Sequence, residues 1–149
     1  MERSIWIFGH GDKSKEGIPN AEYMVKWIRD EIFNVDKGRY HHTQIKDADV
    51  VVLCQDRLLY GHFELAARVP VTNWDRQRYS KVRAVYPVRK SALYEIAIPL
   101  SDVGYDSLGF FRKLTEDQFR RIQTLAGKIT HFNDKGPIAN SADYCASCG

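Results

Sequence analysis

One stretch constrains this chain more than any other: Asp49 to Ala66, DVVVLCQDRLLYGHFELA. Val50 to Leu53 is a short β-branched and apolar run, Gln55-Asp56-Arg57 is polar enough to turn, and Leu58 to Ala66 resumes an apolar run with Gly61 inside it. Strand-forming residues on both sides of a polar break predict a β-hairpin, and a glycine inside the second arm predicts a bulge or a close backbone approach. The first arm has no polar face to offer water, so it is expected at the centre of a sheet covered on both sides. One strand and one helix precede it; further strands and a closing helix follow.

Ser4 to Phe8 is a strand by composition and runs into Gly9-His10-Gly11-Asp12. A Gly-x-Gly after a strand invites a dinucleotide reading, but position 14 is serine where a third glycine is needed, and no second βαβ unit follows. The better reading is a loop that brings backbone and the His10 and Asp12 side chains close to a ligand. Pro19 or Asn20 opens a helix with Ala21, Met24, Ile28 and Ile32 on one face; Trp27 and Phe33 widen the stripe, Trp27 as core, and the helix ends near Asn34. Tyr40 then stands at the mouth of the next strand, where its ring can face a pocket. The paired His41 and His42 suggest a metal, but adjacent strand residues point to opposite faces and cannot easily share one ion.

Beyond the hairpin, Val82 to Val88 reads as a strand whose Pro87 argues for an edge or a bulge, and Ala92 to Pro99 as another. Asp102 to Phe111 is a loop with apolar residues packed on the body. Thr115-Glu116-Asp117-Gln118 is a capping box that opens a helix carrying Phe119, Ile122, Leu125 and Ala126 at helical spacing, and Ile129 to Phe132 closes the domain.

Charge is uneven along the chain. From Arg57 to Lys90 eight basic residues stand against two acids, a net of +6 in a chain whose total is +3, so the remainder is near −3. The basic residues suit phosphates as well as they suit a solvated loop. Trp74 and Tyr79 interleave with Arg76 and Arg78 in Arg68 to Ser80, expected as a loop. A tryptophan in so polar a setting either folds back onto the core or serves as a stacking platform with guanidinium neighbours.

A length of 149 residues suits one domain, and an apolar content of 44% is enough for one core. No apolar run reaches the roughly 18 residues of a membrane span, and the first residues lack a signal-peptide core, so the expected compartment is the cytoplasm, with no membrane partner. Asn133 to Asp143 has linker composition, and Cys145-Ala146-Ser147-Cys148-Gly149 ends the chain. A Cys-x-x-Cys is half of a tetrahedral zinc site. Cys145 and Cys148 are therefore expected to bind metal only with ligands on residues beyond this chain; a redox pair or an accidental tail is the alternative. No Ser-His-Asp set, metal cluster or carboxylate pair is apparent. Asp56 and Arg57 are turn residues before they are catalytic ones, so no catalysis and no cofactor are expected in these residues.

The order of elements, with SIWIF, DADVVVLCQDRLLYGHFELA and LTEDQFRRIQTLAG, resembles the PUA-like superfamily and its EVE, YTH and ASCH branches over about residues 3 to 132. The resemblance implies an α+β fold: a small mixed or antiparallel β-barrel flanked by helices. Residues 1–132 would be an EVE-like reader, and 133–149 a linker and the start of an HNH-type segment. YTH and EVE-like domains hold an extruded base in an aromatic pocket. The matching positions are Tyr40 and Trp74, with Gly9, His10, Gly11 and Asp12 as the loop on the base edge. Tyr40 departs from the tryptophan of YTH domains. Lys13, Arg76, Arg78, Lys81, Arg83, Arg89 and Lys90 would meet the nucleic-acid backbone. The implied partner is double-stranded DNA carrying 5-methyl- or 5-hydroxymethylcytosine, and the implied context a modification-dependent restriction endonuclease. Zinc, a divalent nuclease metal and a homodimer contact would belong to its nuclease part. An RNA-binding PUA-like domain is the alternative, and a stand-alone enzyme a further one.

Overall fold

The computed structural model describes residues 3–10, 20–30, 33–36, 45–78, 82–105 and 111–132. The elements run β1 (Ile5–His10), α1 (Asn20–Asp30), β2 (Phe33–Asp36), β3 (Val50–Gln55), β4 (Leu58–Leu65), α2 (Asn73–Arg78), β5 (Val82–Tyr86), β6 (Val88–Pro99), a 3-10 turn (Leu100–Val103), β7 (Phe111–Leu114), α3 (Glu116–Leu125) and β8 (Ile129–Phe132). Six strands form one mixed sheet in the order β7-β1-β3-β4-β6-β8, and β2 pairs with β5 in a second, two-stranded sheet. The fold is α+β. Among the described residues the larger sheet is open, with β7 and β8 as its edges, where the resemblance implied a closed barrel.

The apolar run Val50–Leu53 sits where its composition requires. β3 lies between β1, to which it is parallel, and β4, to which it is antiparallel, and all six of its residues are buried. Alternate side chains enter different cores. Val51 and Leu53 join Met24 and Ile28 of α1, Phe33 of β2 and Ala84 and Tyr86 of β5. Val50, Val52 and Cys54 join Phe119 and Ile122 of α3 and Leu100 and Val103 of the 3-10 turn. A strand covered on both faces has no wet side, which is why its residues do not alternate with polar ones. Trp27 packs on the first core, its ring centroid 6.2 Å from Phe8 and 5.9 Å from Phe63.

The hairpin turns through two residues, Asp56 and Arg57, both with positive φ (50° and 63°). That is the sense of turn that matches the right-handed twist of its strands. Leu59 lies opposite Cys54 and Gly61 opposite Leu53, so Tyr60 is the extra residue of a bulge. Gly61 also makes the close approach: a Cβ there would overlap the Ala92 carbonyl oxygen and lie 2.7 Å from Ile28 Cδ1. α3 is capped as expected. Thr115 Oγ1 accepts from the Gln118 amide at 3.1 Å, and Gln118 Oε1 accepts from the Thr115 amide at 2.8 Å.

Two expectations need correction. The first helix is described over Asn20–Asp30, Ile32 lies outside the described residues, and Phe33 is a strand residue paired with Tyr86, not part of the helical stripe. Its apolar spacing located a buried position; the partner that makes it a strand lies some fifty residues on, beyond any local rule. Arg68 to Ser80 is not loop throughout, because α2 lies within it. Pro87 falls between β5 and β6 and its carbonyl accepts from the Ala66 amide at 2.8 Å. Among the described residues no helix is long and apolar enough to cross a membrane.

Candidate nucleic-acid interface

α2 is a short helix of six residues held by a cap at its start. The Thr72 amide and hydroxyl both donate to Asp75 Oδ2 at 2.8 Å, and the Asp75 amide donates to Thr72 Oγ1 at 3.1 Å. The reciprocal bonds form a capping box, and the carboxylate is buried within it. The pattern Thr-x-x-Asp at residues 72–75 is the sequence signal for this helix, which composition alone conceals. Trp74 is the second residue of α2 and is 48% exposed, whereas Trp6 is 4% exposed. Trp74 is therefore not a core tryptophan. It is a large ring shown to solvent from a segment whose backbone is pinned.

Arg76 is exposed on the same helix, its Nη1 3.4 Å from Asn73 Oδ1. Arg78 is the last residue of α2 and Arg83 lies in β5, but their side chains fall outside the described residues, as do Lys13 and Lys81 entirely. Arg89 and Lys90 are strand residues of β6. Arg89 Nη2 donates to both carboxylate oxygens of Asp47, at 2.9 and 3.0 Å, and the same carboxylate accepts from the Ala67 amide at 3.1 Å. Arg89 thereby ties β6 to the turn before β3, with its charge already answered. Lys90 is partly buried and lies across from Glu64 of β4.

Of the residues expected around a base, Gly9 and Trp74 are described; so is the backbone of His10, while its side chain, Gly11, Asp12 and Tyr40 lie outside the described residues. Gly9 and His10 end β1 opposite Cys54 and Gln55 of the parallel β3, so the ends of the two strands share one margin of the sheet. Gln55 is a buried polar side chain at that margin, 1% exposed. The opposite margin carries a cleft of about 500 Å³ lined by Arg3, Ser4, Ile5, Lys46, Lys113, Leu114 and Glu116. None of the expected base-contacting residues lines it, and Arg3 and Glu116 close on each other there at 3.0 Å.

Two polar groups, the buried Asp49 and the partly buried His62, carry structure that composition did not announce. Asp49 is fully buried and accepts from the Ser4 amide (2.8 Å), the Trp6 indole (3.1 Å) and the Lys46 amide (2.8 Å). It locks the start of β1 against the turn that leads into β3. His62 Nδ1 lies 2.7 Å from the Tyr94 hydroxyl and its ring meets Phe119 edge-on at 5.1 Å. Burial drives the His62 imidazole down to about 3, and the positive charges of His131 and Arg3 add to the shift. Burial also pushes the Cys54 thiol up to about 11. Neither group titrates near neutral pH, so neither is poised as a base or nucleophile there. Among the described residues no three His, Cys, Asp or Glu side chains gather to hold a metal ion; Cys145 and Cys148 lie outside them.

No protein-family profile and no curated protein matches the chain. Among solved structures it is similar to Rpa0253 from Rhodopseudomonas palustris, determined by NMR, with a TM-score of 0.54 and 12% identity over 83% of this chain and 93% of that one. At that identity the likeness is one of fold.

Proposed function

We propose that this domain is a nucleic-acid reader of the PUA-like kind, which takes a modified base, a 5-substituted cytosine in DNA, out of the duplex and stacks it on an aromatic side chain. The observation that carries the reading is Trp74. A tryptophan 48% exposed on a helix pinned by a capping box with a buried carboxylate is a preorganised stacking surface, and the exposed Arg76 of the same helix adds positive charge to the segment. Extruding a base costs a few kcal/mol. Stacking returns about 1–3 kcal/mol per base, and phosphate contacts supply the remainder in a salt-dependent way. The order of strand, helix, hairpin and capped helix supports a PUA-like relationship. Coupling to a nuclease rests on Cys145 and Cys148 and is not needed for the reader.

The test is binding to matched duplexes carrying cytosine, 5-methylcytosine or 5-hydroxymethylcytosine, with a single-stranded RNA of the same sequence alongside. Tighter binding to a modified duplex, lost by roughly 5–100-fold in Trp74→Ala with an unchanged melting temperature, is the expected result. Preference for the RNA would transfer the reading to an RNA-binding domain. Equal affinity of Trp74→Ala and wild type for every ligand would remove it.

A further inference from the structure

The tip of the β3–β4 hairpin is an anomaly. A two-residue turn with positive φ at both positions is ordinarily filled by Asn-Gly, Asp-Gly or Gly-Gly, because a side chain in the left-handed region crowds its own backbone. Asp56 fits the first position at φ 50°, since a short polar side chain tolerates that region. Arg57 at φ 63° does not have that excuse. Strain of this sort persists where the surroundings over-determine it, and here the surroundings do: the Leu100 amide donates to the Arg57 carbonyl at 2.8 Å, and Leu58 pairs with Pro99. The backbone is anchored while the side chain remains exposed.

Its charge is also uncommitted within the described residues, where the arginines in ion pairs are Arg3, Arg89 and Arg120. Position adds the third observation. β1 and β3 are parallel and in register to their ends, with Gly9 opposite Cys54 and His10 opposite Gln55. Asp56 and Arg57 are the next residues of that strand end. The hairpin tip therefore stands at the same margin of the sheet as the end of β1.

From these observations we infer that Arg57 is a phosphate-contacting finger: a guanidinium carried on an anchored, strained turn at the Gly9 margin, where it engages a phosphodiester of the bound nucleic acid. The inference rests on the reader function above and names a contact that function did not include. The anchored turn fixes where the side chain leaves the backbone, and the fork of the guanidinium matches phosphate oxygens in pairs. Glycine would relax the turn at the expense of that contact, which is why the residue at this position discriminates between a turn and a finger.

The experiment compares wild type, Arg57→Gly, Arg57→Lys and Trp74→Ala by thermal melting and by binding to the duplex set across a range of salt. Arg57→Gly is expected to melt a few degrees higher, to bind every duplex roughly 3–10-fold more weakly, and to lose about one unit from the slope of log affinity against log salt. Arg57→Lys should keep that slope. An Arg57→Gly protein that binds with wild-type affinity and slope overturns the finger and leaves the reader standing, provided Trp74→Ala is impaired. A wild type with no affinity for any of the DNA or RNA ligands overturns the reader, and the finger with it.

Discussion

Replacing His62 with glutamine should remove a specific part of the acid sensitivity of this fold. His62 sits between the Tyr94 hydroxyl at 2.7 Å and the Phe119 ring at 5.1 Å, and burial holds its imidazole neutral down to about 3. The Tyr94 hydroxyl is itself buried and held well above its ordinary value, so it stays protonated and can donate to Nδ1. Protonating Nδ1 would abolish that acceptor and place a cation among His131 and Arg3, which already disfavour it. The folded value lies below the unfolded one, 6.5, so the unfolded chain binds the proton first. The stabilisation is complete above pH 6.5 and drains away as pH falls toward the folded value. At 1.36 kcal/mol per pH unit, the loss between pH 8 and pH 5 is about 2 kcal/mol from this group alone. Glutamine keeps a polar partner for Tyr94 and does not titrate. Urea unfolding of both proteins at pH 8, 7, 6 and 5 isolates the difference from the other histidines and the carboxylates. Wild type should lose about 2 kcal/mol more than His62→Gln over that span. A difference that stays flat, or one in which acid favours wild type, would show that the imidazole is solvated or paired as a cation and would refute the reasoning.

Two further substitutions address the scaffold around the proposed interface. Gly61→Ala puts a methyl into the Ala92 carbonyl oxygen and against Ile28; because backbone lies on one side, the expected cost is about 2–4 kcal/mol in chemical denaturation, and a cost near zero would mean the strands part freely there. Thr72→Ala removes the cap of α2 and one donor to the buried Asp75, with an expected loss of about 1–2 kcal/mol and a weaker grip on modified duplex although Thr72 itself touches no base; undiminished affinity would show that Trp74 does not depend on a pinned helix.

Much of this protein is written in local rules that need no partner. The two arms and turn of the central hairpin, the bulge at Gly61 and the capping box at Thr115 follow from apolar pattern, glycine placement and capping chemistry within a few residues. The burial of Val50–Leu53 was legible for the same reason, since a run with no polar face can only be covered twice. The candidate interface was legible in part: Trp74 and Arg76 stood out as an aromatic and a cation in a polar segment. Whether that ring was core or exposed, and that its loop was a helix, depended on where the chain folded back. Tertiary structure alone decided that Phe33 is a strand residue, because its partner is Tyr86, and that Arg89 is spent on Asp47. It decided that Asp49 joins β1 to the β3 turn, and that Arg57 occupies a left-handed turn beside the end of β1. Each of these depends on groups distant in sequence meeting in space, or on a backbone torsion imposed by strands on either side. Composition and periodicity report which residues leave water; they do not report which ones meet when they do.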